Sequence, residues 1–171
     1  MICNLNSFIS FDLPSEFHAT KEAGDDGYDT VFIRTKGFSD GAEFVCGADY
    51  VEYTPEDLGD VPPSELLDEL ANSEKEWFVK GFKKLCVSET PKIIMMEFFN
   101  ALDRTTSIKC LVQIPQINVF EFMTTFIIRS TTDLKFAYEK LYEIMKSVRI
   151  NNQALPVNDI TPDGLLSSLH D

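Results

Sequence analysis

Apolar residues between Ser107 and Ile150 recur first at every second position and then at every third or fourth. SIKCLVQIP and NVFEFMTTFIIRS therefore read as strands, and TTDLKFAYEKLYEIMKSVRI reads as a helix. In that helix Leu134, Ala137, Tyr138, Leu141, Ile144, Met145 and Val148 share one face. Ser130 lies three residues before Asp133, the spacing at which each side chain caps the other's backbone N–H. In the second strand Phe120, Phe122, Phe126 and Ile128 fall on one face and Val119, Met123 and Ile127 on the other, which places it in the middle of a sheet covered on both sides.

The rest of the chain supplies that sheet. FISFDLP alternates and ends at Pro14; HATKEAGDDGYD, with two glycines, reads as a polar turn; TVFIRTK reads as the hairpin partner returning to the first strand. AEFVCGADYVEY is a third strand, with Gly47 marking a bulge. TPEDL has Thr54 as N-cap, Pro55 at the first helical position and Asp57 completing a capping box. A second helix follows from Ser64, with Leu66, Leu67, Leu70, Trp77 and Phe78 on one stripe and Gly81 as its stop. Two further strands flank Pro91, the second apolar at nearly every residue from Lys92 to Phe99. The pattern predicts an α+β domain over residues 1–150: an antiparallel sheet of about six or seven strands with helices on both faces, three layers in all. Residues 151–171 read as a polar linker and a short helical tail, capped by Thr161, whose Leu165, Leu166 and Leu169 are expected to dock.

Charge adds an address. The net charge is −13, and residues 49–76 hold ten acids against one base, whereas residues 77–149 hold seven acids against eleven bases. Such a field repels nucleic acid and anionic lipid and favours a basic protein partner. Asp49, Glu52, Glu56, Asp57, Asp60 and Asp68 are the candidate binding residues of this acidic surface. The four cysteines are spread over separate segments with no C-x-x-C pair, so neither zinc nor disulfides are expected. With 14 Phe and 44% hydrophobic residues the chain is globular, and no run is apolar enough to span a membrane. The first residues have no basic leader, and a cytoplasmic protein is expected.

Catalytic chemistry finds little support. His18 and His170 are the only histidines, one just past the first strand and one beside the last residue, positions ill suited to a base oriented by a third group. The glycines match no phosphate-binding motif. Asp25, Asp26 and Asp29 lack calcium-loop spacing. Arg104, Lys109, Arg129 and Lys135 are read as a solvated basic face. No cofactor, no metal and no enzymatic activity are expected.

The order of elements, carried by FISFDLP, DTVFIRT and TTDLKFAYEKLYEIMKSVRI, resembles the PsbP-like fold over about residues 8–150. That group includes extrinsic photosystem subunits, a nuclear-transport factor that binds the GTPase Ran, and bacterial proteins of unassigned role. The resemblance implies a binding module without chemistry of its own. The expected function is thus a non-catalytic binding or adaptor protein, monomer or homodimer, that meets a protein partner through its acidic surface. A carrier of small apolar ligands is the alternative, motivated by the Phe and Met density of residues 95–126, and a hydrolase with a carboxylate pair is the third reading.

Overall fold

The computed structural model describes residues 1–15, 17–23, 29–36, 43–77, 81–100, 105–114, 117–126, 131–157 and 160–170. The chain forms strands β1 (Ile2–Asn4), β2 (Ile9–Asp12), β3 (His18–Ala23), β4 (Asp29–Lys36) and β5 (Glu43–Glu52), then helix α1 (Pro55–Leu58), a 3-10 turn at Pro63–Glu65 and helix α2 (Leu66–Trp77). Strands β6 (Lys83–Glu89), β7 (Lys92–Asn100), β8 (Thr105–Ile114) and β9 (Asn118–Phe126) come next. Helix α3 (Thr131–Ser147), the short strands β10 (Arg149–Ile150) and β11 (Gln153–Ala154), and helix α4 (Pro162–His170) complete it.

The α+β class and antiparallel pairing expected from the pattern are present, but the strands divide between two sheets. One has the order β3-β4-β5-β9-β8-β7-β6 and the other β1-β2-β10-β11. This corrects the expectation of a single sheet. Alternation identifies a strand without saying which neighbour it takes, and FISFDLP, now β2, pairs with β1 and β10 and not with TVFIRTK. The partner of TVFIRTK is β3, formed by HATKEA within the stretch expected to be a turn. As an edge strand with nearly every residue exposed, β3 has no buried face to impose alternation. Gly47 carries no bulge: it stands in continuous register between Phe32 and Met123, and among the described residues the register of the sheet shifts instead between Cys86 and Ser88.

Alternate residues of the large sheet enter separate cores. Ile93, Met95, Ile108, Cys110 and Val112 join the apolar stripe of α3, the inner face of β2 (Ile9, Phe11) and Leu165 and Leu169 of α4. Ile94, Met96, Phe98, Leu111 and Val119 instead meet Leu66, Leu67 and Ala71 of α2 and Leu58 of α1. The expected stripe of α3 is thus buried throughout, from Leu134 to Val148. The capping box of α1 is formed: the Asp57 N–H donates to Thr54 Oγ1 at 3.2 Å and the Thr54 N–H to Asp57 Oδ2 at 2.7 Å. The proposed cap at Ser130, the side chains of Phe120 to Phe126, and the stretch of α2's pattern after Trp77 lie outside the described residues or side chains.

Residues Asn151 to Ala154, expected to open a linker, are part of a tight hairpin. Asn151 and Asn152 have φ of 50° and 64°, the conformation of a two-residue type I′ turn, which asparagine tolerates better than other side-chain-bearing residues. Leu155 and Val157 are buried, and α4 then lies along α3.

Candidate binding groove and a buried carboxylate

A groove of about 540 Å³ separates the β10–β11 hairpin from one end of the large sheet. Its walls are the turn from Glu89 to Lys92, Gln113 and Ile114 at the end of β8, Ser64, and Ile150, Asn151 and Gln153 to Leu155 of the hairpin segment. The lining is mostly apolar. Volumes of about 300 to 1,000 Å³ are usual for small-ligand pockets. Two contacts hold the wall in place: Gln113 Nε2 donates to the Pro63 carbonyl at 2.7 Å, and Lys92 Nζ donates to the Ser64 carbonyl at 3.2 Å. Lys92 also pairs with Asp68 at short range, and Lys84 reaches the other oxygen of Asp68 at 3.1 Å. The charge of Lys92 is therefore already compensated at the groove.

A smaller polar cavity, about 170 Å³, borders the same hairpin and is lined by Asn4, Asn6, Ser10 and Asn152 among others. Asn6 Oδ1 accepts from the backbone N–H groups of Phe8 and Ile9, which fixes the amide orientation and leaves its Nδ2 buried without a protein partner.

On the α3 side of the sheet lies a cluster that the sequence expectations did not include. Glu97 is only 6% exposed. Its Oε1 accepts from Tyr138 Oη at 2.9 Å and lies 2.9 Å from His170 Nε2. Lys83, the cross-strand partner of Glu97, reaches His170 Nδ1 at 2.8 Å. An ammonium only donates and a carboxylate only accepts, so these neighbours favour the ring with its proton on Nε2. Burial, with the Glu97 carboxylate beside it, pushes the Tyr138 phenol far above its ordinary range. The sequence offered one signal, a lone acid in the apolar run KIIMMEFFN, but not its partners, which arrive from α3 and from the far end of the chain. The expectation that His170 is poorly placed for orientation by a third group is corrected, since Glu97 orients it.

No family profile, no curated protein and no solved structure matches this chain. The groove and the charged residues around it must therefore speak through their geometry. Of the acidic candidates, Asp57 is spent on its cap, Glu52 accepts from Tyr50 Oη at 2.8 Å, and Asp68 holds its two lysines. Asp49 is half-buried on β5. Glu56 and Asp60 stay exposed, with no ion pair among the described residues. Of the basic candidates, the two described ones lie apart. Lys109 faces α2 and pairs with Glu74 at 2.6 Å, Lys135 on α3 pairs with Asp163 at 3.2 Å, and Arg104 and Arg129 fall outside the described residues. Asp25 and Asp26 also lie outside them, as does the side chain of Asp29. His18 is exposed on β3. No group of three or more potential metal ligands occurs among the described residues, and no described helix is long and apolar enough to cross a membrane.

Asp68 gives the groove wall a pH dependence. The Lys92 hydrogen bond, with Lys84 adding to it, holds the Asp68 carboxyl below the usual carboxylate range. A folded-state value depressed below the unfolded one contributes stability that is present above the unfolded pKa, about 4, and is lost as pH falls through the folded value. Asp68→Asn is expected to flatten this part of the acid limb of a melting-temperature profile, to leave its shape near neutral pH unchanged, and to flatten the alkaline end as well, because the hydrogen bond to Asp68 holds the Lys92 ammonium above its ordinary range and that stability is lost as pH rises through the raised value. An unchanged acid limb would show that the pair is screened out in solution.

Proposed function

We propose that the protein is a non-catalytic binding module that takes an apolar group into the groove between the β10–β11 hairpin and the turn from Glu89 to Lys92. The observation that carries this reading is the groove itself, apolar in lining and of ligand size, with walls held by Gln113 and Lys92. The acidic surface has a part in it. Glu56, Asp60 and Glu65 lie on the segment that reaches the groove at Ser64, so a partner with an apolar anchor and a basic flank meets complementary charge. What favours binding over catalysis at the groove is its lining, which does not include His170: that ring is held between Glu97 and Lys83 on the α3 side of the sheet. The PsbP-like, three-layer arrangement belongs to the same proposal and is supported by the order of elements and by the separate cores against α2 and α3.

The test uses a neutral solvatochromic dye, Nile red, as probe. Titration into the full chain should give saturable blue-shifted fluorescence, and Ala154→Trp, a substitution at an exposed position on the groove wall, should weaken it by about tenfold or more. Absence of saturable binding by the unaltered chain, or equal binding by Ala154→Trp with its fold intact, overturns the proposal.

A further inference from the structure

Successive residues of a strand point to opposite faces of its sheet. Gln153 and Ala154, the two residues of β11, are consecutive, yet both line the groove, as does Leu155 directly after them. A cavity touched by such a run lies along the strand's edge, where the main chain is accessible. That edge has no paired strand among the described residues: β11 is the last strand of its sheet.

The direction of its hydrogen bonds follows from the hairpin. The Asn151 N–H donates to the Phe8 carbonyl at 2.8 Å, so the polar groups of residues 149 and 151 turn toward β2 and those of Ile150 turn toward Gln153. Across the two-residue turn Ile150 and Gln153 are the bonded pair, and Arg149 and Ala154 form the next, non-bonded pair. The N–H and C=O of Ala154 consequently point away from β10, at a residue that lines the groove.

On these grounds we infer that the groove's occupant is an extended polypeptide segment that adds to the outer edge of β11, exchanging main-chain hydrogen bonds with Ala154. An alternate side chain of the segment fills the apolar lining at Ile114, Ile150 and Leu155, the division of labour usual for strand addition. The segment is basic where it leaves the groove, because Glu89 stands on the wall and Glu65 follows Ser64, while the lysine there is already paired with Asp68. The short length of β11, two residues closed by Pro156, guards the edge against uncontrolled pairing and limits the added strand to one or two main-chain contacts. The inference rests on the groove being a binding site, and adds the class of ligand.

A displayed library of random nonapeptides, selected on the full chain, should yield binders with alternating apolar residues flanked by Lys or Arg. Ala154→Pro removes the outward N–H and should weaken a recovered peptide about tenfold in a variant whose circular dichroism and melting temperature match those of the unaltered chain. A second measurement leaves the protein untouched: N-methylating one alternate set of peptide amides should abolish binding, and methylating the other set should not. Nile red binding without recovered peptides, or peptides indifferent to both methylated sets, overturns strand addition and leaves a small-ligand pocket. Loss of Nile red binding to the unaltered chain overturns the underlying reading instead.

Discussion

Tyr138→Ala is expected to leave the chain largely unfolded in buffer where the unaltered protein is folded. Tyr138 is fully buried, at the head of the largest buried side chains, and truncating a buried aromatic costs about 3 to 5 kcal/mol. That is a large share of a total stability of about 5 to 15 kcal/mol. The loss has two parts. The ring leaves a cavity against Glu97 and its neighbours on β7, and Glu97 loses its hydroxyl donor while remaining under the helices. Tyr138→Phe isolates the second part and should cost about 1.5 to 3 kcal/mol, the range for a hydrogen bond to a charged group. Urea melts followed by circular dichroism would measure both. If Tyr138→Ala lost less than about 1 kcal/mol, α3 would not be packed on the sheet as described.

Removal of α4, by ending the chain at Thr161, should have the second largest effect. Leu165 and Leu169 are buried against the main core, and each contributes about 1.5 to 3 kcal/mol on burial. The truncation also takes away His170 and uncovers Glu97. Within the intact chain, His170→Ala should reproduce only the polar part of the loss, and His170→Gln, whose amide N–H can replace Nε2–H as donor to Glu97, should recover some of it. Tyr138 and His170 bond the same oxygen of Glu97, so Tyr138→Phe and His170→Ala should combine non-additively in a double-mutant cycle. A truncated chain that melts with the full-length midpoint would mean that α4 contributes nothing to the core.

The sequence was informative where one face of an element is buried and the other is not. The α3 stripe, the two apolar strands around residues 93–98 and 108–114, and the Thr54 capping box were all legible, because periodicity and capping are local physics. Two kinds of feature were not. HATKEA is a strand that buries almost nothing, so it shows only the polar composition of a turn. Asn151 and Asn152 resemble linker residues until their φ angles and the bond from Asn151 to Phe8 place them in a hairpin. The groove depends on that hairpin and on the turn from Glu89 to Lys92, regions roughly 60 residues apart in the chain, and no local pattern encodes their meeting. The acidic surface was legible as charge, but not in how it is spent: Asp57 caps α1 and Asp68 braces the groove wall, which leaves Glu56 and Asp60 as the exposed remainder.

The order of strands in the large sheet also sets a timetable for synthesis on the ribosome. β5 is complete at Glu52, but its neighbour β9 begins only at Asn118, the register partner of Glu52. At elongation rates of about 5 to 20 residues per second, β5 presents an open edge for a few to about a dozen seconds before β9 can close it. β2 waits longer still for β10. A nascent chain of this protein therefore passes through a stage in which a hairpin of β4 and β5 has one unsatisfied side. Slow codons placed between residues 53 and 117 would lengthen that stage and raise the chance of pairing between neighbouring chains on one message.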